Sequence, residues 1–201
     1  MRSIAAALLA IVFLAAFAPG AIPSRRGAHG LLSFPDAPAL CGDPTKLFAK
    51  CRSQTDIALA ALAAARAQDK ALLVEVGADW CVWCLVIDRY INGWFVEGAE
   101  PRTAGTKADA EALARFAAAN FVVVKLDAGP DLVPAMRRLG VPYTPNKPVP
   151  AFYVLYGGKV KEAAVVRAEL PARGAYKGYS RQGVLAQIRK ALHAVRPAVA
   201  P

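Results

Sequence analysis

The segment ALLVEVGADWCVWC, residues 71–84, joins an apolar run to a closely spaced pair of cysteines. The run from 71 to 76 is partly β-branched and stops at Gly77, which is typical of a buried strand. The following residues, LVIDRYI, predict a helix. Cys81 and Cys84 therefore lie where a strand ends and a helix begins, and this position favours redox chemistry over other uses of cysteine.

The beginning of a helix is a favourable place for a reactive thiol. Free N–H groups and a partial positive charge there stabilise a thiolate, so we expect a lowered pKa for Cys81. The spacing of three residues puts both sulfurs on one side of the first turn. Cys81 is predicted to attack a substrate disulfide, and Cys84 to resolve the mixed disulfide. A purely structural bond here would close too short a loop to stabilise much.

A metal site at the cysteines is disfavoured, because zinc needs more ligands than the two sulfurs. The chain has only two histidines, His29 near the N-terminus and His193 in the last predicted helix. We expect no metal and no bound cofactor.

The composition indicates a single domain with a mildly basic surface. The chain has 201 residues, 56% of them apolar, and a formal net charge of +10. The basic residues are scattered and are not interleaved with aromatic ones, so we expect no nucleic-acid partner. We expect the protein to be a monomer.

The N-terminus has the layout of a secretory signal. Residues 1–21 contain one early arginine, an uncharged apolar run and then small residues. We predict a signal peptide at 1–21 and export to the periplasm. The alternative is an uncleaved membrane anchor, although the run is short for a span of about 20 residues.

The other two cysteines, Cys41 and Cys51, are ten residues apart in the sequence. Because disulfides persist outside the cytosol, we predict a structural disulfide between them. It would attach an irregular N-terminal arm, residues 22–54, to the domain. The alternatives are a second redox pair that passes electrons to Cys81, or free thiols.

The remaining patterns predict an α/β fold with a mixed central β-sheet flanked by helices. A helix follows the SQTD segment at 53–56, and FVVVKLD at 121–127 predicts a second buried strand. Two apolar segments around Gly157 and Gly158 predict a hairpin. The loop at 93–108, the short helix in DLVPAMRRLG, the proline-rich VPYTPNKPVP and a final helix capped by Ser180 complete the prediction.

These segments resemble the thioredoxin superfamily over about residues 55–195. ALLVEVGADWCVWC, VVVKLD and VPAFYVLYGGKV carry the resemblance, and the first is similar to its periplasmic, reductive thiol-disulfide interchange branch. The resemblance implies a thioredoxin-like fold, and we expect this domain at 55–196. Pro197 ends the last predicted helix, so residues 197–201 are expected to form a tail.

The resemblance also implies a buried acid six residues before the first cysteine, which is Glu75. Burial raises the pKa of a carboxyl group, so Glu75 would accept the proton of Cys84 during resolution. Lys125 matches a lysine that often lies near this acid. The alternatives are a solvent-facing Glu75 and an ordinary strand lysine.

A cis-proline facing the cysteines is a further implication. Pro150 is chosen over Pro142 because a strand and hairpin follow it directly. Val149 and Pro150 would then form the edge that binds a substrate strand next to Cys81. Trp80 is expected to contact the substrate as well.

The residues between the cysteines, Val82 and Trp83, include no histidine that would stabilise a thiolate further. We therefore predict a protein-disulfide reductase that acts on protein disulfides and is recycled by a membrane or soluble thiol donor. A valine before the cis-proline also occurs in oxidants. The alternatives are a disulfide oxidase or isomerase, and a binding or chaperone module without turnover. Trp83 and Trp94 are candidates for lining a substrate groove.

Overall fold

Two apolar runs predicted as strands lie side by side at the centre of one six-stranded sheet. The computed structural model describes residues 21–98, 104–165, 167–169 and 177–196, so the predicted signal peptide, apart from Ala21, and the tail lie outside the described residues. In chain order the elements are β1 (Arg25–Arg26), β2 (Leu32–Phe34), α1 (Ala37–Cys41), α2 (Gln54–Ala67), β3 (Ala71–Gly77), α3 (Val82–Ile91), α4 (Lys107–Asn120), β4 (Phe121–Asp127), α5 (Leu132–Arg138), β5 (Ala151–Tyr156), β6 (Lys159–Ala163), β7 (Ala168–Glu169), β8 (Lys177–Gly178) and α6 (Arg181–Val195).

The sheet is mixed, as predicted. Its strand order is β1-β2-β4-β3-β5-β6, with β2, β4 and β3 parallel and β5 and β6 antiparallel. The parallel pair follows from the long helical connection between β3 and β4, and the antiparallel pair from the short turn between β5 and β6. Gly157 and Gly158 form that turn with φ values of 57° and 78°, which glycine adopts without strain.

Helices cover both faces of the sheet. Helices α2 and α5 pack on one face and α3, α4 and α6 on the other, each over its own apolar core. Side chains of β3 alternate between the two cores: Leu72 and Val74 point to the first, Leu73 to the second. Glu75 therefore points to the same side of the sheet as α3.

The N-terminal segment departs from the prediction of an irregular arm. Strand β2 pairs with β4 as a parallel strand of the central sheet, and Leu31, Leu32 and Phe34 are buried. This segment is part of the domain because its apolar side chains complete both cores. The disulfide between Cys41 and Cys51 is present.

The helix after the SQTD segment and the final helix both begin at serine side-chain caps. Ser53 and Ser180 accept backbone N–H groups of the first turns of α2 and α6. The polar, glycine-containing segment 167–180, whose sequence predicts a loop, contains the two short strands β7 and β8, which pair antiparallel. Within the described part of the chain, no helix combines the length and apolar character needed to cross a membrane.

Candidate functional site

The two cysteines open helix α3 at the carboxyl end of β3. Cys81 is the N-cap residue, and its Sγ accepts the backbone N–H of Cys84 at 3.2 Å. Cys81 and Cys84 form a disulfide, with side chains that are 5% and 0% exposed respectively. Cys81 is thus the slightly more exposed residue of the pair, and its position at the helix start favours a thiolate after reduction.

Gly77, the last residue of β3, makes room for Cys84. A Cβ atom added to Gly77 would lie 2.8 Å from Cys84 Sγ and would also overlap the ring of Phe48. The sulfur therefore occupies the space where residue 77 would carry a side chain. Glu75 precedes Gly77 by two residues on the same face of the strand, which corresponds to about 7 Å along β3. Glu75, the one ionisable residue of β3, therefore lies on the side of the strand that faces Cys84.

Glu75 is fully buried between α3 and the sheet. Neither carboxyl oxygen has a hydrogen-bond partner among the described residues. Its register partner on β4 is Lys125, whose ammonium group instead lies 2.6 Å from Asp88 Oδ1 on α3. Asp88 follows Cys84 by one helical turn. Three ionisable side chains therefore share the buried space below the cysteines.

The surroundings of Glu75 favour its protonated form. The pKa of Glu75 is raised from 4.5 to about 8, chiefly by burial and then by the negative charge of Asp88, whereas Lys125 opposes the rise. Because Asp88 already neutralises Lys125, we regard burial as the dominant cause. A carboxyl group with a pKa near 8 can exchange a proton with a thiol near neutral pH.

Val149 and Pro150 lie beside the cysteines, where the substrate edge was expected. The peptide bond between them is cis, and Val149 packs against the cluster that contains Cys81 and Cys84. Trp80 and Val82 flank Cys81 and are 73% and 64% exposed. These two neighbouring residues therefore offer an exposed apolar surface next to Cys81.

The loop before α3 is attached to the N-terminal segment by Asp79. Its Oδ1 accepts the backbone N–H groups of Leu47 and Phe48 at 3.0 and 3.1 Å. Lys46 is an ion-pair partner, 3.8 Å from Oδ2. Phe48 is fully buried and packs with Ala78, Cys81 and Cys84. The segment between Cys41 and Cys51 therefore forms one wall of the site.

A second attachment lies at the end of β4. The Asp127 N–H donates to Gln54 Oε1 at 2.8 Å, and Gln54 Nε2 donates to the Ala49 carbonyl at 2.7 Å. Lys50 lies 3.5 Å from the Asp127 carboxylate. Burial raises the pKa of Asp127, against the effect of Lys50.

The sequence interpretation overlooked Asp79, Asp88 and Phe48. Asp79 was visible as a carboxylate two residues before Cys81, and Asp88 as a charge in the apolar segment LVIDRYI. Their partners come from distant parts of the chain, so their roles depend on packing that the sequence alone does not reveal.

Of the two candidate groove tryptophans, Trp83 packs against the cluster that contains Cys81 and Cys84, whereas Trp94 lies elsewhere. Trp83 packs edge-on against Tyr179, with ring centroids 5.4 Å apart. Trp94 follows the opposite end of α3 and stacks on Arg89. His29 and His193 are both exposed, and the described residues contain no group of three or more His, Cys, Asp or Glu that could hold a metal ion.

Taken together, the site offers one cysteine at a helix start, a second cysteine buried behind it, a buried carboxyl group and an exposed apolar border. Such an arrangement can carry out thiol–disulfide exchange. The chain matches no family model, no curated protein and no solved structure.

Proposed function

We propose that this protein is an exported thiol–disulfide oxidoreductase with a thioredoxin-like fold, which reduces disulfides of protein substrates through Cys81 and Cys84. The observation that carries the proposal is the position of the pair at the start of α3, packed against Val149 of the cis Val149–Pro150 unit and directly above the side of β3 that holds Glu75. The mixed sheet with helices on both faces is compatible with this fold.

The reaction begins from the reduced dithiol. The Cys81 thiolate attacks one sulfur of the substrate disulfide, and the other substrate sulfur leaves as a thiolate that takes up a proton. Cys84 then loses its proton to Glu75 and attacks Cys81 Sγ in the mixed disulfide. The second substrate thiol leaves, and the Cys81–Cys84 disulfide remains.

The substrate is expected to lie along the border formed by Trp80, Val82 and Val149. Their exposed apolar surface suits an extended polypeptide segment with apolar side chains around its cysteine. Each cycle leaves the enzyme oxidised, so a thiol donor in the membrane or in solution must return two electrons to Cys81 and Cys84.

Reduction of insulin by dithiothreitol tests the proposal. Wild-type protein should accelerate the reduction, and Cys81→Ser should lower the rate by at least about 100-fold because the attacking sulfur is lost. Cys84→Ser keeps the attacking sulfur and should accumulate a mixed disulfide with insulin, visible by mass spectrometry.

Thermal unfolding of each variant serves as the control for folding. Equal rates for wild type and Cys81→Ser would overturn the enzyme proposal and leave the fold as a binding or chaperone module. A mixed disulfide attached to Cys84 in Cys81→Ser, and none in Cys84→Ser, would reverse the roles of the two sulfurs.

A further inference from the structure

The second disulfide faces an open pocket. Both of its cysteines border a cavity of about 220 Å³, and Cys51 is exposed whereas Cys41 is half-buried. The remaining lining residues are Asp43, Lys46, Phe48, Lys50 and Asp79. The two lysines each have carboxylate partners, so the pocket has no strong preference for the charge of a ligand.

The wall of this pocket is also a wall of the candidate site. Phe48 lines the cavity beside the second disulfide and packs against Cys81 and Cys84 on its other side. The ring lies over Gly77, next to Cys84 Sγ. Phe48 therefore separates the two disulfides and excludes solvent from Cys84.

The position of Phe48 depends on the loop that the second disulfide closes. This loop is held by the two bonds to Asp79, by the Lys50–Asp127 ion pair and by the Gln54–Ala49 bond. Lys50 and Lys46 are more than 40% exposed, so water competes with their ion pairs. The link between Cys41 and Cys51 is covalent, whereas the other described connections of this loop are hydrogen bonds and ion pairs.

We propose that Cys41 and Cys51 form a second thiol–disulfide exchange site, open to small thiols, and that reduction of this disulfide uncovers Cys84. The inference rests on the proposed function insofar as Cys84 is the resolving thiol. An environment rich in reduced thiols would then reduce the Cys41–Cys51 disulfide, expose Cys84 and so change the rate at which the Cys81–Cys84 pair reacts.

The exchange step involves two molecules of a small monothiol. The thiolate of the first attacks Sγ of Cys51, which is the more exposed of the two cysteines, and forms a mixed disulfide with it. Cys41 leaves as a thiolate that takes up a proton. The thiolate of the second attacks the small-thiol sulfur of the mixed disulfide. Cys51 is released as a thiol, and the two small molecules leave joined as their own disulfide, so two electrons pass to the protein.

The experiment uses a Cys81→Ser background, in which Cys84 is a single free thiol and turnover is impossible. Reduced glutathione, a tripeptide monothiol, is added at millimolar concentration to the folded protein, and peptide mapping follows Cys41 and Cys51. We expect a mixed disulfide at Cys51 and then both free thiols, because an accessible disulfide exchanges with this probe whereas a purely structural one resists it.

The rate at which iodoacetamide alkylates Cys84 gives the second measurement. Adding Cys41→Ser and Cys51→Ser to the background should raise this rate by about tenfold or more, because the covering loop opens more often. Phe48→Ala, with the second disulfide intact, should do the same. Phe116→Ala removes a ring of equal size from α4, away from the cysteines, and should change the rate by less than about twofold.

Three results would overturn the inference. Cys41 and Cys51 could remain oxidised in glutathione, their removal could leave the Cys84 rate unchanged in a folded protein, or Phe48→Ala could match Phe116→Ala. The Phe48 comparison keeps the test decisive if the double serine variant does not fold. None of these readouts needs insulin reduction, so a failure of the proposed function is seen separately.

Discussion

Lys125 and Glu75 are register partners on neighbouring parallel strands, yet the ammonium group of Lys125 pairs with Asp88 on the helix above. Glu75 is left fully buried without a hydrogen-bond partner among the described residues. This pairing explains why Glu75 favours its protonated form. The charges of Lys125 and Asp88 offset each other, so the buried Glu75 carboxyl group is most stable when it is neutral.

Lys125→Met should destabilise the protein by about 3 kcal/mol, because it leaves Asp88 largely buried without its counter-charge. The surface pair Lys147–Glu162 has the same separation, 2.6 Å, but is much more exposed. Lys147→Met should therefore cost no more than about 1 kcal/mol. Urea unfolding at pH 7 measures both. Equal losses would show that burial does not distinguish the two pairs.

The proton on Glu75 should make stability depend on pH. The pKa of Glu75 is about 8 in the folded protein against 4.5 ordinarily. Between these values the folded state keeps a proton that the unfolded state has released. The free energy of unfolding should then fall as pH rises from 4.5 to about 8, by at most about 1.4 kcal/mol per pH unit, and level off above.

Glu75→Gln imitates the protonated side chain and should remove this fall. The variant should be more stable than wild type at pH 9, by a few kcal/mol, and similar to it near pH 4. Urea unfolding across this pH range provides the curves. Glu111→Gln replaces an exposed carboxylate on α4 and should leave the wild-type dependence in place. Parallel curves of unfolding free energy against pH for Glu75→Gln and wild type would show that Glu75 does not keep its proton in the folded state.

The same substitution should slow the resolving step. Without a carboxylate to accept the proton of Cys84, Glu75→Gln should lower the rate of resolution by about 100-fold. In a single turnover with reduced enzyme and excess insulin, the mixed disulfide at Cys81 should accumulate and decay slowly. An unchanged decay would remove Glu75 from the proton transfer, even if the stability curves behave as expected.

The sequence predicts those elements of the fold that depend on local patterns, and it does not predict those that depend on contacts between distant parts of the chain. β3, β4 and the β5–β6 hairpin were predictable, because apolar runs and the Gly157–Gly158 turn are local patterns. β2 was not, because Leu32–Phe34 has only three residues, between Gly30 and Pro35, and becomes a strand by pairing with β4.

The candidate site divides in the same way. Cys81 and Cys84 are three residues apart in the sequence, and their position before a helix was predictable. Glu75, Val149 and Pro150 were proposed through the family resemblance. Phe48 joins the site through the bonds of Leu47 and Phe48 to Asp79, more than 30 residues away in the chain, and no local pattern predicts such a contact.

Gly77→Ala should damage the site without changing any reactive group. The added Cβ would lie 2.8 Å from Cys84 Sγ and overlap Phe48, so the helix start or the ring must move. We expect a loss of about 1–3 kcal/mol in stability, typical of overpacking, together with slower insulin reduction.

Phe48→Ala gives the matched test of this explanation. If crowding is the cause, Gly77→Ala should destabilise the Phe48→Ala protein less than the wild type, and a double-mutant cycle in urea should show coupling of about 0.5 kcal/mol or more. Additive effects would mean that Gly77 is needed for another reason.

The direction of electron flow is tested by the reduction potential of the Cys81–Cys84 pair. Val82 and Trp83 supply no imidazole next to Cys81, so the thiolate is stabilised mainly by the N–H groups at the start of α3. We expect a potential more negative than about −200 mV, measured by equilibration in dithiothreitol buffers with mapping of the peptide that holds both cysteines.

Val82→His places an imidazole at the exposed position beside Cys81 and should raise the potential by about 30 mV or more, because a stabilised thiolate favours the reduced form. Val82→Thr keeps the β-branched shape without the imidazole and should shift the potential by less than about 10 mV. A wild-type potential near −120 mV would make the protein an oxidant.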